Sequence, residues 1–170
     1  RGGVWYAVLD DYTGRSLVPP TQADAGGSRP RVHAVGDSLH LYFVRAASNE
    51  VRVWRFLPAA PTEAPTQSIL LTNIDGALPL YDIDTDTTKA VIAWRDTDAL
   101  IGVAYIHQGG SIGGAGLGLP IPVVVAESPV RCLAVALDKL VEDEEERQVV
   151  VTWAAASKSY ITLDYDLATV

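Results

Sequence analysis

The amino-acid sequence predicts an all-β protein assembled from four-stranded antiparallel repeats. Three observations carry this expectation. Val, Ile, Thr, Tyr and Trp gather in short runs, and Gly, Pro, Asp, Asn and Ser punctuate them, as turns punctuate strands. No run sustains the 3.6-residue periodicity of an amphipathic helix. One pattern also recurs about every 50 residues: a proline, a strand, a turn, an aromatic-ended strand, a short polar turn and a third strand.

The elements follow in chain order. Val4 to Leu9 reads as a third strand and Ser16 to Pro20 as a weak fourth, so residues 1–20 form a partial unit. Residues 29–74 form a full unit. Pro30 to Val35 turns at Gly36-Asp37 into Leu39 to Val44, then Val51 to Phe56, with Ser68 to Thr72 as the fourth strand. Residues 79–127 repeat the plan with Pro79 to Asp84, Ala90 to Trp94, a third strand ending near Ile106, and Pro122 to Ala126. Residues 129–170 give a partial unit: Pro129 to Val135, an acidic insertion around Lys139 to Glu146, Val149 to Trp153, and a closing strand. The stretch Leu133 to Arg147 tempts a helix, but its apolar part is short, and a strand followed by a long charged hairpin is expected, with a short helical turn as the alternative. The runs ending in Trp94 and Trp153 are apolar on both faces, which suits strands covered on both sides by stacked sheets. Phe43, Trp94 and Trp153 stand at equivalent places, which points to packing between units rather than to ligand stacking. Four antiparallel strands repeating at this period are the mark of β-propeller blades. The alternative is a β-sandwich of similar length.

Composition sets further bounds. With 170 residues, 48% of them hydrophobic and 20% charged, the chain is ordinary for a globular domain and long enough for a core. A net charge of -8 argues against nucleic acid and anionic membrane surfaces as partners. No signal peptide or membrane span is visible. Cys132 is the single cysteine, so neither an internal disulfide nor a cysteine-based zinc site is expected, and it reads as a small buried hydrophobe. There is no Met, and the chain is expected to be a piece of something longer.

The unit from Pro79 through Gly110 resembles repeats of propeller domains in tailed-bacteriophage virion proteins, which are sialidase-like by fold alone. The resemblance spans roughly residues 29–167 and rests on generic blade motifs. It implies a tail-associated, non-enzymatic structural or host-recognition role, in the virion, against neighbouring subunits of a symmetric assembly or a host-surface glycan. The Ser-x-Asp-x-Gly-x-Thr-Trp turn of active sialidases is absent. The nearest stretch, Thr72-Asn73-Ile74-Asp75-Gly76, has Asp and Gly adjacent, and no Arg-Ile-Pro triplet occurs. A degenerate glycosidase therefore stands behind a carbohydrate-binding propeller among the alternatives.

Few residues suggest a site. Asp82, Asp84 and Asp86 alternate along a strand, which puts three carboxylates on one face where a hard cation would relieve their repulsion. Position six of an EF-hand reading is Thr87 and position twelve Ala93, so this is no such loop, and a strand end running into a solvated turn is the plainer account. A paired-acid glycosidase site would need two carboxylates across a cleft. Trp5 and Trp54, on third strands, are candidate sugar platforms. His33, His40 and His107 have no ligand spacing, though His33 and His40 face each other across the Gly36-Asp37 hairpin. Gly109 to Gly118 lacks a phosphate-loop pattern and reads as a linker; with residues 138–147 it is expected to present contacts. Glu142 to Glu146 reads as a solvated hairpin tip. No cofactor, catalytic residue or metal site is expected.

Overall fold

The computed structural model describes residues 2–86, 90–98, 100–106, 121–125, 130–137, 148–155 and 160–166. Its strands form antiparallel sheets, none of them closed, and no α-helix occurs among the described residues. The first sheet pairs β1 (Val4–Leu9) with β2 (Ser16–Asp24). The second is four-stranded, in the order β3 (Gly27–Val35), β4 (Ser38–Arg45), β5 (Glu50–Phe56), β6 (Thr66–Leu71). The third repeats that order with β7 (Tyr81–Thr85), β8 (Ala90–Arg95), β9 (Leu100–Ile106) and β10 (Ile121–Val125). The last holds β11 (Val130–Leu137), β12 (Gln148–Ala155) and β13 (Tyr160–Asp166). The Gly-rich stretch 109–118, the acidic run 142–146, the contact loop 138–147 and His107 lie outside the described residues.

Local chemistry explains the turns. Asp10 closes the β1–β2 hairpin by accepting from the Thr13 N–H and hydroxyl, both at 2.7 Å, and those hydrogen bonds hold its carboxyl below the usual range. Gly36, at φ 56°, takes the left-handed turn position between Val35 and Ser38. A 3-10 turn, Ala46–Ser48, joins β4 to β5 and ends on left-handed Asn49. The strand β2 runs four residues past the expected Pro20 and keeps Pro19-Pro20, because in a two-stranded sheet one backbone edge has no ladder to break.

The core is a series of interlayers. Leu41 and Phe43 of β4 pack on Val4, with Tyr6 and Trp54 alongside. The opposite face of the same sheet gives Tyr42, Val44, Val51 and Val53 to a second cluster, shared with Ile83, Ile92 and Trp94 of the next sheet. That sheet turns Val91, Ala93, Ile101 and Val103 toward Val135, Val149, Val151 and Trp153. The central runs Leu41 to Val44 of β4 and Ala90 to Trp94 of β8 are thus buried on both faces, as their uninterrupted apolar character requires. Phe43, Trp94 and Trp153 each face the sheet that precedes their own. Trp94 lies flat over its cross-strand partner Gly102, where a Cβ would stand 2.5 Å from the indole.

Candidate functional site

The acidic strand β7 is positioned by its neighbours on both sides. Alternation puts Asp82 and Asp84 on one face of it, toward β11. The Val135 N–H donates to Asp82 Oδ2 at 3.1 Å, and the Leu137 N–H donates to Asp84 Oδ2 at 2.9 Å. On its other side Asp82 meets the Arg31 guanidinium of β3 at 3.8 Å. One carboxylate therefore joins the first strands of three successive sheets. β11 is an edge strand, and its outward N–H groups would otherwise lack ladder partners. The carboxylates serve as those partners. Asp86 follows the end of the strand and is half-buried. Among the described residues, no three His, Cys, Asp or Glu side chains are grouped to hold a metal ion.

Tyr81, the first residue of β7, ties the strand back to the preceding sheet. Its hydroxyl donates to the carbonyl of Arg29, a left-handed residue at the β3 bulge, and to that of Tyr42 at 3.3 Å. Burial pushes the Tyr81 phenol far above its ordinary range, and does the same to Tyr42.

The two tryptophans do not converge. Tyr6 points toward the second sheet and meets the edge of Trp54 at 5.9 Å, while alternation turns Trp5 to the opposite face of β1. Trp54 is half-buried, with Phe43 on it at 6.2 Å. Trp5 is 39% exposed, and its indole N–H donates to the Gly2 carbonyl. Beside β1 lies an apolar cleft of about 230 Å³, floored by Leu41 and Phe56 and rimmed by Val32, Leu39 and Leu57.

Sequence reasoning missed a buried polar chain along β4. Ser38, His40 and Tyr42 share one face. Ser38 Oγ donates to the Val35 carbonyl at 3.1 Å and accepts from His40 Nε2 at 3.3 Å, which leaves His40 Nδ1 to accept from the Tyr42 hydroxyl at 2.8 Å. That tautomer is assigned from the network. Every member is closed inside the sheet stack, so the chain satisfies buried groups rather than offering a nucleophile. The alternation Ser-x-His-x-Tyr was its visible signal. His33 and His40 are cross-strand partners as expected, and both rings pack on Tyr42, at 6.2 and 5.7 Å.

Two further positions differ from expectation or fill it in. Cys132 is exposed, not buried. Val135 and Leu137 point inward along β11, so Cys132 shares the outward side with Ala134 and Ala136. The stretch Thr72 to Gly76 is a fastening loop. Asp75 pairs with Arg95 at the end of β8, its carboxylate caps the N–H groups of Ala77 and Leu78, and fully buried Ile74 bridges to Asp96.

No protein-family model, curated protein or solved structure gives a significant match to this chain. No helix among the described residues is long and apolar enough to cross a membrane.

Proposed function

We propose that the chain is a non-enzymatic segment of a β-propeller that serves a larger assembly, a tailed-phage tail, by its geometry. The observation that carries this reading is the serial stack. Antiparallel sheets of one plan follow each other, the central strands β4 and β8 have core on both faces, and the first strands β3, β7 and β11 lie side by side. A row of adjoining first strands suits blades fanned about an axis, whereas a sandwich needs two layers only. In this role the stack is a rigid frame, and its loops meet neighbouring subunits or the host surface.

The test is location. Antibodies raised against the purified chain should decorate the tail of the phage that encodes it, in electron micrographs. Decoration of capsids alone, or of no virion structure, would overturn the assignment. A second reading, carbohydrate binding, is favoured by the exposure of Trp5. On a glycan array it predicts a signal that Trp5→Ala abolishes and Trp54→Phe spares. A degenerate glycosidase is less well supported, since Asp82 and Asp84 are engaged by the backbone of β11.

A further inference from the structure

We propose that the cleft beside β1 seats a β-hairpin of the same polypeptide, running ahead of β1 and completing its sheet to four strands. This rests on the propeller reading and names what the frame still takes up.

The cleft stands where two strands belong. Val4 and Tyr6 of β1 face the following sheet as Val51 and Val53 of β5 do, so β1 holds the third place in its sheet and β2 the fourth. The edge of β1 away from β2 is then the place of a second strand, with a first strand beyond it. In the complete sheets these places are filled, and they cover the next unit. β3 packs beside β7, and β7 beside β11.

Equivalent residues show the difference. Val32 stands opposite Leu41 in β3 as Ile83 stands opposite Ile92 in β7 and Val135 opposite Val151 in β11. Ile83 is 4% exposed and Val135 7%, but Val32 is 63% exposed. Leu39 is likewise exposed, while Ala90 and Val149 at its place are fully buried. An apolar surface that the repeat covers twice is open here, and its lining matches the inward face of a strand such as β8, with Val91 and Ala93.

The hairpin's first strand is specified too. Val32 and Ala34 occupy the places of Val135 and Leu137, whose N–H groups donate to Asp82 and Asp84. Acceptor side chains two apart on the incoming strand would clasp β3 in the same way. The same polypeptide is the source because second and third strands are joined by short links in both four-stranded sheets, as Ala46–Ser48 joins β4 to β5.

Thiol labelling tests this. In a Cys132→Ser background, Val32→Cys should react freely in residues 1–170. In the polypeptide extended upstream by one repeat, its rate should fall on the order of tenfold or more. Tyr12→Cys, at a site 96% exposed, should react alike in both. Ile83→Cys should be protected in both and reports the stack itself. Equal labelling of Val32→Cys with Ile83→Cys still protected would overturn the hairpin and leave the stack standing. So would an upstream sequence without two strand segments, or protection that appears only when another protein is added. Free labelling of Ile83→Cys would overturn the serial stack and the propeller reading with it.

Discussion

The carboxylate of Asp84 accepts a 2.9 Å hydrogen bond from the backbone N–H of Leu137, 53 residues further along the chain. A side chain of one sheet thereby completes the hydrogen bonding of the edge strand of the next. With Asp82 on Val135 it forms a two-point clasp, which fixes the register of β11 against β7.

Loss of that acceptor leaves a part-buried N–H unsatisfied. Asp84→Ala should cost about 1–3 kcal/mol, read as a lower urea midpoint with unchanged slope. Asp84→Asn keeps an acceptor oxygen and should retain most of the stability. Equal losses in the two variants would mean that charge, not the hydrogen bond, matters.

Gly102 is needed for space. A Cβ there would stand 2.5 Å from the Trp94 ring. Gly102→Ala should destabilise the fold by about 1–3 kcal/mol through overpacking and shift the tryptophan emission. An unchanged unfolding midpoint would show that Trp94 does not rest on this glycine.

Alkaline pH should unfold the protein through its buried phenols. Burial raises Tyr42 and Tyr81 above the ordinary value of 10.0. Their contribution is therefore complete below pH 10 or so and lost as pH rises toward the folded-state values. Phenolate absorbance should show a late-ionising fraction among the seven tyrosines that appears together with loss of the β circular-dichroism signal. Complete ionisation near pH 10 with the fold intact would contradict this.

The layered architecture was legible because burial on both faces leaves a compositional trace. The run Ala90 to Trp94 is buried throughout, between two sheets. Val149 to Trp153 departs from that expectation: Val149, Val151 and Trp153 are buried and Val150 and Thr152 only half-buried, because the preceding sheet covers one face of β12. Phe43, Trp94 and Trp153 recur because each fills the same interlayer position. The work of Asp82 and Asp84 was not legible. Their alternation placed them on one face, but their partners are backbone groups, which carry no residue signature. Trp54 could not be told from a surface platform, since Tyr6 reaches it only through sheet stacking and Phe43 only through the cross-strand register of β4 and β5. Cys132 was misread because a strand-like run does not say which side of an edge strand is covered.

Electron cryo-microscopy of the full polypeptide, in the tail proposed to carry it, tests the central claim most directly. The account predicts four-stranded sheets fanned about an axis, with β3, β7 and β11 on the inner edge and a hairpin seated against Val32. Density showing two sheets packed face to face as a closed sandwich would contradict it.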